Sequence, residues 1–221
     1  MIHRLIRFYL GCAILGMSVS LMAQNEVWAS WDEQVVRSLH TAANVPGFNQ
    51  EEQKVILFMN MARYDGSLFA GTFLEAYLDE KGIKKNGYVR SLFRDLRKTE
   101  GLPPLEPQAD LTTIALEHAR VSGESGSTGH QNFNQRFENV LGNPYTLVAE
   151  NLAYGHPEAI DIVISLLIDE GIRNLGHRKN ILHPQFNSVG VVIRSHEQFR
   201  VQCVIDFGSR PASGLNEVPY L

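Results

Sequence analysis

The chain has 221 residues, with 20 basic and 24 acidic side chains and a formal charge of −4. At roughly 150 residues per domain this is one domain with a decorated end, and its 44% hydrophobic content excludes wholesale disorder. A mildly acidic balance without a Lys/Arg-rich stretch excludes a nucleic-acid platform or a polybasic membrane binder. Two cysteines exclude a disulfide-dense scaffold and any CxxC zinc or redox site.

Arg4 and Arg7 precede an apolar run from Phe8 to Met22, and no acidic residue occurs before Glu26. A basic start, a short apolar centre and a small residue at Ala23 have the layout of a secretory signal peptide, expected over 1–23. The run is broken by Gly11, Gly16, Ser18 and Ser20 and falls short of a permanent span. Cys12 follows Leu10-Gly11 in the manner of a lipoprotein, but too little apolar chain lies ahead of it. Cleavage after Ala23 leaves 198 residues with a charge of −6 and Cys203 as the single thiol. The core, not a disulfide, then has to carry the fold.

Residues 24–48 read as an N-terminal helical arm ended by Pro46-Gly47. Asn49 and Glu52 form a capping-box pattern ahead of Val55, Phe58, Met59 and Ala62, which recur as one helical stripe. A second helix is expected over 68–81, ending at Gly82, and a third carries Val89, Leu92, Phe93 and Leu96. Gly101-Leu-Pro-Pro104 is a stiff extended connector. The next helix places Leu111, Ile114, Ala115 and His118 on one face, and a Gly/Ser-rich loop over 123–129 ends at His130. AENLAYG follows, then Pro157 opens a long apolar helix to Glu170. A polar turn over 171–176 leads into GHRKNIL. Val189, Val191 and Ile193 alternate, as do Phe199, Val201, Cys203, Ile205 and Phe207, giving a β-hairpin with one buried face.

His130, Glu150, Asp169, Glu170 and His177 are the residues suited to chemistry. Two imidazoles with one or two carboxylates suit zinc or a similar cation, and the same groups serve acid–base work near neutral pH. No HExxH spacing forces them together. Asp169 and Glu170 end the apolar helix, so at least one carboxylate approaches a buried face, which is costly without a partner. His118 reads as a core histidine, and His156 before Pro157 as a helix-start residue. His183 and His196 read as solvated, and Arg178 and Lys179 as forming a solvated face or pairing with carboxylates. GESGSTG is no nucleophile elbow, Cys203 belongs to a strand interior, and no phosphate-binding glycine motif occurs.

AENLAYG, then GHRKNIL about twenty residues on, then a terminal hairpin, resembles the CAP superfamily (SCP-like extracellular domain) of bacterial secreted type. The resemblance covers about Leu102 to Phe207 and implies an α+β fold. Its expected form is a three-layer α–β–α sandwich on a central antiparallel sheet, preceded by extra N-terminal helices. Within it the domain would span 49–210, with a helical insertion of roughly 35 residues over 64–100 and a tail over 211–221. The family's cleft commonly carries two histidines and two acids. Residue by residue these fall on His130, Glu150 and His177, with Asp169, or alternatively Glu170, as the second acid. The usual tryptophan is absent from the helix before that acid, where LLIDEG stands instead.

The resemblance therefore implies a secreted or periplasmic protein with a divalent metal as cofactor, zinc first, held by His130 and His177. Glu150 and Asp169 would orient the histidines or reach the ion through water. Two other readings stand beside it: a hydrolase of peptide or cell-envelope material with Glu150 as candidate catalytic residue, and a module binding lipid or a cell-envelope component. No nucleic-acid partner and no membrane span in the mature chain are expected. The sequence leaves open whether the cleft carries a reaction.

Overall fold

A computed structural model describes residues 26–142 and 144–211. The expected signal peptide and nearly all of the expected tail lie outside the described residues. Beyond a helical turn over 26–29, helix α1 spans Glu33–Leu39, capped by the Asp32 side chain, and buries Leu39; Trp31, just ahead of it, is also buried. The arm is thus part of the main core. Helix α2, Gln50–Tyr64, opens with the capping box that Asn49 and Glu52 spell. The buried Glu52 carboxylate does more than cap, since Oε1 also accepts from the Ile193 amide and from Arg194, each at 2.8 Å.

The expected helix over 68–81 begins earlier and is not uniform. Helix α3 is Gly66–Phe69, a π-turn follows over Ala70–Leu74, and α4 is Glu75–Lys81. Helix α5, Gly87–Leu96, is capped by Asn86 and buries Val89, Leu92 and Leu96. A short strand β1, Glu106–Pro107, precedes helix α6, Ala109–Ser125. Helix α6 runs through Gly123, so the Gly/Ser loop is shorter than the sequence suggests. The glycine is needed there because a Cβ would strike the Ser195 carbonyl.

The chain continues through α7, Phe133–Phe137, β2, Leu147–Tyr154, α8, Ala159–Ile168, and α9, Gly176–Ile181. It ends with the hairpin β3, Ser188–His196, and β4, Arg200–Ser209. The sheet order is β1-β3-β4-β2, with β1 parallel to β3 and the other pairs antiparallel. Helices cover both faces, giving the expected α–β–α sandwich.

One face of the sheet, with Val189, Val191, Cys203, Ile205 and Phe207, packs into the main core with α2 and α8. Helix α8 buries all of its length except a narrow side at Ile160, Asp161 and Ser165, and is apolar elsewhere. The opposite face, with Leu152, Val192 and Val204, meets Ala115 and Ala119 of α6. The hairpin therefore buries two faces rather than the one expected from its alternation. Gly190 lets α6 lie directly on the sheet, since a Cβ there would overlap the backbone of Leu111 and Thr112.

Candidate functional site

Strand β2 is an edge strand, and successive residues on a strand point to opposite faces. Glu150 points to the α6 face and Asn151 to the other, so one dipeptide reaches both sides of the sheet edge. On the α6 face, the Glu150 side chain is fully buried and meets two partners, His130 and Arg136. Nδ1 of His130 lies 2.7 Å from its Oε1, and Arg136 forks both oxygens at 2.7 and 3.0 Å. Burial pushes the Glu150 carboxyl up, but the bonds from His130 and Arg136 outweigh it and hold the carboxyl below its usual range. The His130 side chain remains 49% exposed.

The loop that presents His130 is fastened from behind. Nε2 of buried His118 bonds the Gly129 carbonyl at 3.1 Å, and Nε2 of buried His196 bonds the Ser127 carbonyl at 3.0 Å. The Gly129 amide donates to the Tyr154 hydroxyl at 3.0 Å. His118 is the core histidine its helix face predicts, and burial lowers its pKa. His196 is not solvated as its turn position suggested. Its Nδ1 accepts from the Gln198 and Phe199 amides, which turns the ring inward under the hairpin.

On the other face, α8 stops at Asp169, a non-glycine residue in the left-handed region at φ 56°. That turn aims its buried carboxylate at the start of α9. Oδ1 pairs with His177 Nδ1 at 2.7 Å, while Oδ2 accepts the His177 amide at 3.0 Å and the Arg178 amide at 3.3 Å. Glu170 turns away. It is exposed, accepts from Asn86 at 2.8 Å, and lines an open cavity of about 400 Å³ with Tyr88, Ser91 and Arg173. The geometry thus joins His177 to Asp169 and leaves Glu170 apart.

Arg178 is buried rather than part of a solvated face, and of its two expected roles it takes the pairing with a carboxylate, Asp95. It donates to the Leu167, Ile168 and Tyr88 carbonyls, to Ser91 and to Asp95, which clamps α5 onto the end of α8. The two histidine–acid pairs are tied together through side-chain amides. Asn151 donates to the His177 carbonyl at 3.0 Å, and Asn180 donates to Asn151 Oδ1 at 2.8 Å and to the Glu150 carbonyl at 3.5 Å.

Each histidine uses Nδ1 toward a carboxylate, which can only accept, so Nδ1 carries the proton and Nε2 keeps its lone pair in the neutral ring. Among the described residues, no group of three or more His, Cys, Asp or Glu side chains surrounds one point for a metal ion. Each of the two rings thus keeps one imidazole nitrogen, Nε2, able to donate a lone pair. Arg136, Asn151, Asn180 and Asp206 belong to this region and were not singled out from the sequence. The two asparagines lie inside AENLAYG and GHRKNIL, so their signal was there to be read. Arg136 and Asp206 carried no motif.

A family model places the chain. The cysteine-rich secretory protein family, CAP, matches residues 90–207, just over half of the chain, and the protein belongs to that family. Solved structures it is similar to include an outer surface protein from Borrelia burgdorferi, at 24% identity over 58% of this chain and 96% of that one, TM-score 0.43. An extracellular protein containing an SCP domain from Bacillus anthracis matches at 23% identity over 57% of this chain and 41% of its own, TM-score 0.42. A cysteine-rich secretory protein from Staphylococcus aureus matches at 19% identity over 58% and 40%, TM-score 0.41. The chain thus spans about two fifths of the last two. No curated protein sequence matches it. Among the described residues, no helix is long and apolar enough to cross a membrane.

Proposed function

We propose that the cleft binds a divalent cation, zinc first, through Nε2 of His130 and Nε2 of His177, in a protein that works outside the cytoplasm. The observation that supports this is the repeated pairing of Nδ1 with a buried carboxylate, at 2.7 Å in both cases. Such a partner fixes the tautomer, orients the ring and raises the basicity of the free nitrogen. Two imidazoles with water completing the shell suit zinc, which would supply a Lewis acid and an acidified water. Glu150 and Asp169 act as orienting residues. Both oxygens of Glu150 accept from His130 and Arg136, which suits this carboxylate to orienting the ring.

Isothermal titration with zinc should give one site in the wild type and none in a His130→Ala/His177→Ala double variant. Glu150→Gln and Asp169→Asn should each weaken binding by about 10–100-fold. Equal uptake by the wild type and the double variant would refute the reading. Export is supported by the basic and apolar opening, Arg4 to Met22, and by the lone Cys203 that its removal leaves. Sequencing the N-terminus of the protein from its native host should begin just after Ala23. A native chain starting at Met1 would overturn this part.

A further inference from the structure

Asp206 sits at the centre of β4 with its backbone paired to Glu150 on one side and Gly190 on the other. Its side chain shares the α6 face with Glu150, because cross-strand partners point the same way. It is fully buried, and neither carboxylate oxygen finds a hydrogen-bond donor among the described residues. Helix α6 lies directly over Gly190 and seals that flank. The guanidinium at this pair, that of Arg136, gives both of its terminal nitrogens to Glu150 and none to Asp206. The other titratable groups facing the pair are His130, on Glu150, and His118 of α6.

Two buried carboxylates side by side, with one guanidinium bonded to one of them, cannot both hold a charge at low cost. A proton between them resolves both problems. It gives Asp206 a donor to offer, and it reduces the pair to the one negative charge that Arg136 matches. We propose that Asp206 is a further member of the site, a neutral carboxylic acid that donates its proton to Glu150 and so positions that carboxylate for His130. Burial and the Glu150 charge both push the Asp206 carboxyl well above its usual range, in the same direction. The arrangement concerns the metal-free protein and stands whether or not a cation binds.

Two measurements test it without metal present, so its outcome is separate from that of zinc binding. Infrared spectroscopy at pH 7 should show a protonated-carboxyl carbonyl band that shifts on ¹³C-aspartate labelling and disappears in Asp206→Asn. Absence of that band in the wild type would overturn the proposal. Denaturant unfolding of the wild type and Asp206→Asn across pH supplies the second readout. The unfolded chain releases the Asp206 proton near pH ~4 while the native state keeps it. Wild-type stability is therefore lost as pH rises from there toward the raised native value. The folding constant of Asp206→Asn should gain on the wild type by up to about tenfold per pH unit across that window. A stability difference that does not change with pH would overturn the proposal, because an ordinary ionised or purely structural aspartate gives no such slope.

Discussion

Replacing Arg136 with methionine keeps much of the aliphatic stem against Phe133 and Phe137 but removes the guanidinium that forks Glu150. Two charge-assisted bonds, at 2.7 and 3.0 Å, are lost from a carboxylate with no exposed surface. Each is worth about 1.5–3 kcal/mol, so the gross loss is about 3–6 kcal/mol. The hydrogen bond from His130 to Glu150 remains, and we expect a net loss of about 3 kcal/mol at pH 7, the lower end for an uncompensated buried charge. The pH dependence is the sharper test. In the wild type the Glu150 carboxyl lies below its usual range. Its stabilisation is therefore complete above the unfolded value of about 4.3 and is lost as pH falls below it. In the variant the buried carboxylate takes up a proton more readily, so acid relieves the penalty. Urea denaturation followed by fluorescence should give a difference at pH 4 of about half or less of that at pH 7. A difference below about 1 kcal/mol at pH 7, or one equal at both pH values, would refute the reasoning.

Arg178→Met should cost about 3–5 kcal/mol, because the Leu167, Ile168 and Tyr88 carbonyls lose a shared donor. Hydrogen exchange should then quicken first in α5, and a loss under about 1 kcal/mol would sink the clamp. Cys203 is fully buried in β4, and burial pushes its thiol up. Its labelling by a thiol reagent should follow global unfolding in a urea series, whereas rapid labelling of the native protein would contradict the packing of β4.

The helices and the hairpin were legible because their signals are local. Asn49 with Glu52 marks a helix start, and alternation from Val189 to Phe207 marks two strands. Glu150 and His177 were legible through two motifs, His130 only through its place after the Gly/Ser loop, and the end of α8 narrowed the second acid to two neighbours. The choice between them depended on a backbone turn. Asp169 adopts φ 56°, which no periodicity announces, and this sends Glu170 outward. Asp206 was invisible for a tertiary reason. Alternation assigned it to the outer face of a one-sided hairpin, and only the docking of α6 through Gly190 makes that face an interior. Arg136 lies on the five-residue helix α7, too short to show a pattern. His196 and Arg178 look like surface residues in sequence because their partners are backbone carbonyls contributed by distant segments.

The edge position of β2 has a consequence for solubility. A bare edge exposes amides and carbonyls that can recruit another strand, and proteins block such edges with side chains, loops or charges. Here the Asn180 amide occupies the outward carbonyl of Glu150 while also holding Asn151. The side chain that joins the two halves of the cleft is thus also a guard against strand addition. Mutations that loosen the cleft from this side open a place for a second chain to pair, so self-association would accompany the loss of the site.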